Sequence, residues 1–230
     1  MEFETKVQFL TQPEHNRRTI VISDIHGHRA WLEKLLKKVD FSEKDILIIV
    51  GDMIEKGPES LNTIRYITEL CEKYTVYPMM GNVDLWRIQM LLTEDGSLDQ
   101  ELYETNERMR QYWKATFFQD LCREAGVSVK TPEEIPAARE AVLAKFQKEL
   151  TFMKELPTIL VTPAFTFVHG GLVHEKLEDN FHLPPFQLLK NDNFINQGKH
   201  FDKYVVVGHW PVCLYRSDIE SSAPYISEEQ

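Results

Sequence analysis

The chain has 230 residues, 43% apolar and 27% charged, with a formal net charge of −10. That length and apolar share suffice for one sizeable core, read as a single domain over 1–230. The acidity argues against nucleic acid or an anionic membrane as partner. No stretch approaches a transmembrane span, and residues 1–18 lack the apolar core of a signal peptide.

Strand and helix patterns alternate from residue 19 to about 93. An apolar run at 19–23 predicts a strand, followed by a helix over 28–39 with Leu32, Leu35 and Leu36 on one side. A second strand at 45–50 leads to a helix over 59–73, where Leu61, Ile64, Ile67 and Leu70 recur at helical spacing. A third strand at 75–80 precedes a helix through Leu85, Ile88 and Leu92. Such β-α-β alternation implies a parallel sheet with right-handed crossovers.

Residues 94–156 break this rhythm with a long, charged, helical pattern interrupted at Gly126 and Pro132. This segment reads either as an insert packing over a crevice and shaping access to it, or as cover for one sheet face. Its aromatic stripe (Tyr112, Trp113, Phe117, Phe118) reads as core rather than as a stacking platform. Residues 158–161 and 165–168 predict a hairpin around Thr162-Pro163-Ala164. A strand over 204–207 and a weaker one near Tyr225-Ile226 complete the α/β pattern.

Five predicted strands stop at a carboxylate, imidazole or amide beside a glycine: Asp24-Ile25-His26-Gly27, Gly51-Asp52, Gly81-Asn82, His169-Gly170-Gly171 and Gly208-His209. Open α/β sheets gather strand-end residues into one crevice. Taken singly, Asp24 and Asp52 could be helix N-caps, and His26 or His169 ordinary loop histidines. Five such blocks together favour a metal centre. Two Asp, three His and one Asn form a mixed oxygen and nitrogen set suited to Mn, Fe, Zn or Co. Two cations need a bridging carboxylate, and Asp52 is the natural bridge. Cys71, Cys122 and Cys213 have no C-x-x-C spacing, which argues against thiolate ligation and fits a reducing cytoplasm.

The ordered blocks D-I-H-G, G-D-x-x-[acid]-[basic]-G, G-N, H-G-G and G-H-x-P resemble the calcineurin-like metallophosphoesterase superfamily. The resemblance is to its phosphoprotein phosphatase and symmetrical diadenosine tetraphosphatase branch, and it runs from about Thr19 to Pro211. It implies a four-layer αββα sandwich of two mixed sheets, here carrying the helical insert. It also implies two divalent metal ions, manganese favoured, with Asp24, His26 and Asp52 around the first and Asp52, Asn82, His169 and His209 around the second. The implied reaction is hydrolysis of a phosphate ester or anhydride by metal-activated hydroxide. The substrate would be a phosphorylated small molecule, a dinucleotide or a phosphoprotein. Family members usually continue with further strands past the last block, so a C-terminal end at Gln230 suggests a shortened sheet with an unpaired edge.

Departures from the family pattern fall in the acid–base layer. Val83 stands where the family carries a proton-donating histidine, and Glu55 where an acid orients it. Lys56 replaces a phosphate-clamping arginine, keeping the charge but losing the bidentate fork. A second arginine expected near Leu188-Leu189 is not evident; Lys190 is the nearest basic residue. Asp84, His28 and His174 are the possible substitute acids, and Asp52, Lys56 and Asp84 the expected catalytic set. The competing reading is a degenerate, non-catalytic metal- or phosphate-binding module.

Overall fold

The computed structural model describes residues 3–11, 17–92, 114–215 and 223–227. Three strands, β2 (Thr19–Ile22), β3 (Ile46–Ile49) and β4 (Thr75–Pro78), form an all-parallel sheet in the order β2-β3-β4. Every residue of β3 is buried, because a central parallel strand is covered on both faces. The crossovers are α1 (Arg29–Lys38) and α2 (Ser60–Lys73), and α3 (Asn82–Leu92) follows β4. Leu61, Ile64, Ile67 and Leu70 of α2 are all buried against this sheet, each contributing roughly 1.5–3 kcal/mol.

The second sheet runs β1-β5-β6-β7, built from β1 (Val7–Phe9), β5 (Ile159–Val161), β6 (Phe165–Val168) and β7 (Tyr204–Val206). It is mixed: β5 and β6 form the expected antiparallel hairpin, while β1 on β5 and β7 on β6 are parallel. Mixed character is thus confined to this sheet among the described residues. Strand β1 was not legible in the sequence, since it is three residues long and lies within a polar stretch. It forms only because β5 offers its edge.

Three apolar cores separate four layers. One lies between the helices and the parallel sheet, through Leu47, Ile49, Ile64 and Phe117. A smaller one lies between the two sheets, through Ile46, Ile48, Leu160 and Phe167. The third covers the far face of the mixed sheet. That fourth layer is thin: it consists of 3-10 turns at Leu177–Asn180 and Phe194–Gln197 with the short helix at Pro185–Leu189.

Helices α4 (Thr116–Ala125), α5 (Ile135–Lys145) and α6 (Gln147–Lys154) form the described part of the insert. They pack on α2 and α3 and share their core through Phe117, Leu121, Val142, Phe146 and Met153. Residues 116–154 therefore thicken the helical layer, as in the second of the two readings, with Thr116 reaching Glu55; residues 94–113 of the segment lie outside the described residues. Phe117 and Phe118 are buried core side chains; Tyr112 and Trp113 lie outside the described residues. The weak strand expected near Tyr225-Ile226 does not form at 223–227. Tyr225 packs on Tyr215 instead, with ring centroids 5.9 Å apart. Strands β2 and β7 are the sheet edges on one side, and between the sheets lies a groove of about 530 Å³ lined by Val21, Ile48, Phe165 and Val206 among others.

One ion pair pins the start of β2. Arg18 donates from Nε to Asp45 Oδ1 (2.9 Å) and from Nη2 to Oδ2 (3.0 Å), and also to the Val39 carbonyl. The Arg18 guanidinium holds the Asp45 carboxyl at about 2, below its ordinary value of 3.8. A depressed carboxyl stabilises the fold above its ordinary value and loses that contribution as pH falls through the folded one. Asp45→Asn should therefore lower the melting temperature at neutral pH, and the deficit should shrink as pH falls from about 4 to about 2. Thermal scans across that range check this; a deficit independent of acid would contradict it.

Candidate metal centre

Asp24 and His26 follow β2, Asp52 follows β3, Asn82 opens α3, His169 follows β6 and His209 follows β7. The structure brings all six together where the ends of the two sheets meet. Neither Asp24 nor Asp52 is a helix cap: α1 is preceded by His28 and α2 by Glu59. The close approach of the loops requires glycine at two places. A Cβ on Gly81 would lie 2.0 Å from the Asp52 backbone nitrogen, and one on Gly208 would lie 1.9 Å from Ser23 Oγ. Of seven non-glycine residues with positive φ among the described residues, six sit here: Asp24, His26, Asp52, Glu55, Lys56 and His209. Each such conformation costs on the order of 1–3 kcal/mol, and such strain gathers where function requires it.

The donors fall into two groups that share Asp52. Asp24, His26 and Asp52 form one, and Asp52, His169 and His209 the other, with ligand atoms in each group within 4.8 Å of one another. Asp52 turns a different oxygen to each side, Oδ2 at 3.7 Å from His26 Nε2 and Oδ1 at 3.4 Å from His169 Nε2. Asn82 joins the second group, its Oδ1 lying 3.1 Å from His169 Nε2.

Outer hydrogen bonds set the imidazole tautomers. His26 Nδ1 donates to the Ile54 carbonyl (3.1 Å) and His169 Nδ1 to the Val50 carbonyl (2.7 Å), so Nε2 of both rings faces the shared centre. His209 is reversed: its Nε2 donates to Asp192 Oδ1 at 2.6 Å, which leaves Nδ1 as the nitrogen that could take a cation. Such outer partners orient metal-binding histidines and raise their basicity. Asp24 Oδ2 accepts from the Ser23 hydroxyl and from the His209 N–H, joining the two sheet edges. The donor set and its inward-facing nitrogens fit divalent cations.

The electrostatics agree. Burial disfavours charge on His169, but the hydrogen bond and charge of Asp52 overcome it and raise the ring to about 9. Burial likewise opposes ionisation of Asp52, yet His169 holds that carboxyl below its ordinary value. A proton on His169 therefore competes with a cation for Nε2. Burial pushes the Cys71 and Cys122 thiols up to about 11, so neither offers a thiolate at neutral pH.

A family model for calcineurin-like phosphoesterases matches residues 17–225. The chain belongs to this family. A curated relative, the symmetrical bis(5'-nucleosyl)-tetraphosphatase of Shewanella loihica, is 46% identical over 68 residues, covering 29% of this chain and 24% of the relative. The enzyme of the same name from Coxiella burnetii is 34% identical over 92 residues, covering 40% and 30%. The matches thus span less than a third of those relatives' length. A crystal structure assigned provisionally as a diadenosine tetraphosphatase aligns with a TM-score of 0.56 at 21% identity, covering 89% of this chain and 79% of that one. At that identity the likeness is one of fold.

Within this family member the remaining expected site residues separate. Lys56 is exposed and its Nζ donates to His26 Nε2 at 2.6 Å, the same lone pair a cation in the first donor group would take, so cation binding there would displace this hydrogen bond. Asp84 is fully buried and does not face the crevice. It accepts the N–H groups of Met53 (3.0 Å), Ile54 (3.3 Å) and Gly81 (3.0 Å), tying the Asp52 loop to the start of α3. Burial, with the nearby Asp52 charge, raises its carboxyl to about 7. Asp84 is therefore a strut behind the ligands, which corrects its expected role as a substitute proton donor. His28 stacks on Trp31, and the exposed His174 is held by Asn180 through its backbone.

Sequence reasoning missed three partners. Asp192 orients His209, pairs with Lys190 at 2.5 Å and accepts from Trp210 Nε1 at 3.3 Å. It lies in an aperiodic loop, where no local pattern marks it. Arg87 and Thr116 both bind Glu55, from residues far away in sequence. At the start of α1, the His28 and Trp31 rings lie 4.6 Å apart and 16° from parallel, with Trp31 68% exposed.

Proposed function

We propose that this chain is a binuclear, metal-dependent phosphoesterase acting on phosphoanhydrides and aryl-type phosphates in preference to alkyl esters. The observation that carries the reading is Asp52, whose two oxygens face two separate histidines, one in each donor group. Asp24, His26 and Asp52 would hold one cation; Asp52, Asn82, His169 and His209 would hold the other. Cations held there supply water activation and neutralise phosphoryl charge. With a cation on His26 Nε2, the Lys56 ammonium that otherwise donates to that nitrogen would be released to serve a phosphoryl oxygen. Val83 offers no proton to the leaving group, so leaving groups stable as anions are favoured. Hydrolysis of an aryl phosphate by chelator-treated protein, with and without added Mn²⁺, tests this. Turnover should be absent without the metal and restored with it; no turnover in either state would leave the non-catalytic module as the better account.

A nucleotide is the substrate class we favour over a phosphoprotein. An exposed indole backed by a parallel imidazole, five residues from His26, suits a nucleobase, and base–aromatic stacking contributes roughly 1–3 kcal/mol. The names of the tetraphosphatase relatives point the same way. Trp31→Ala should raise KM for a dinucleoside tetraphosphate by roughly 5- to 150-fold and leave KM for an aryl phosphate unchanged. Equal KM changes for both substrates would assign Trp31 no base contact.

A further inference from the structure

Glu55 and Lys56 are consecutive left-handed residues, with φ of 67° and 65°. Such a turn persists only when its surroundings over-determine it. The backbone is held on both sides: the Glu55 N–H donates to Ser60 Oγ (2.9 Å), and the Gly57 N–H donates to the His26 carbonyl (2.8 Å). The buried Glu55 carboxylate is held by four more donors from two other helices. Oε1 accepts from Arg87 Nε of α3 (2.9 Å) and the Phe117 N–H of α4 (3.2 Å). Oε2 accepts the N–H and the hydroxyl of Thr116, both at 3.1 Å. In the family pattern this acid orients a histidine; here that position is Val83, and the acid faces Arg87 one helical turn further along.

We infer that Arg87, Glu55 and Thr116 form a positioning junction that fixes the Lys56 ammonium beside the cation ligands. The helical segment beginning at Thr116 thereby governs how tightly this site holds a phosphoryl group. Arg87 is read as the positioning residue and not as the phosphate clamp. Its Nε is committed to Glu55, and its Nη1 lies 3.4 Å from Met90 Sδ. The inference rests on the phosphoesterase reading in placing Lys56 against phosphate.

The test measures binding of inorganic phosphate to the Mn²⁺-loaded full chain by calorimetry, alongside KM and kcat for an aryl phosphate. Glu55→Gln and Arg87→Ala should each weaken phosphate binding roughly tenfold, and Thr116→Val by about twofold to threefold. Arg87→Lys, which keeps the positive charge, should restore part of the loss. In a Lys56→Ala background none of the three should weaken binding further, because the group they position is gone. Thr116→Val replaces the hydroxyl with a methyl, losing its contacts to Glu55 and Ser60 Oγ, and remains informative if Glu55→Gln fails to fold. A merely structural junction would lower the melting temperature, leave phosphate affinity unchanged and act independently of Lys56→Ala; that result would overturn the inference. Because phosphate binding is read without turnover, an inactive protein with an intact junction effect would sink the catalytic reading alone.

Discussion

An Asp52→Asn variant is expected to lose metal-dependent hydrolysis by at least roughly 10³-fold, beyond the 10–100-fold typical of removing a partner outside the ligand shell. Asp52 is the one side chain common to both donor groups. Replacing one of its oxygens with a nitrogen removes both the negative charge and the second ligating atom. The fold should survive. Asn can keep accepting the Val83 N–H, which donates to Asp52 Oδ1 at 2.9 Å, so the start of α3 stays in place. His169 should respond as well. Its raised value depends on the Asp52 hydrogen bond and charge, so without them burial pulls the ring downward. Calorimetric Mn²⁺ stoichiometry and an NMR titration of His169 check both parts. Undiminished metal stoichiometry, or an unmoved His169, would contradict the bridging role.

Val83→His is expected to raise hydrolysis of an alkyl phosphate by about 10²-fold, the lower end of the 10²–10⁴-fold range for general acid help. Aryl phosphate hydrolysis should change little, because its leaving group needs no proton. The gain stays low for a structural reason. The acid that would orient such a histidine, Glu55, is already held by Arg87, Thr116 and Phe117. The pH profile carries the sign: an imidazolium donor works while protonated, so the added alkyl rate should fall as pH rises through its pKa. Equal gains on alkyl and aryl substrates would mean that the new side chain acts on something other than the leaving group.

The structure also sorts the residues that sequence reading grouped as catalytic. Lys56 reaches the ligands, whereas Asp84 is turned inward to three backbone amides. Both lie beside ligand blocks, so sequence proximity could not separate them. Val83, read in the sequence only as standing at the place of a histidine, gives its backbone N–H to Asp52 and packs its side chain on the helical core.

Local pattern alone determined the strands that matter and their ends. A parallel strand buried on both faces must be a continuous apolar run, as in β3, and the run stops where Asp, Asn or His meets a glycine. Because open sheets converge at such ends, the six ligand candidates were legible without any knowledge of contacts. Only the tertiary structure decided what lies across the chain from each residue. Asp192 beneath His209, Arg87 and Thr116 around Glu55, β1 beside β5, and α4–α6 under the first helices all join segments distant in sequence. Periodicity records which face of an element is buried, but not which partner buries it.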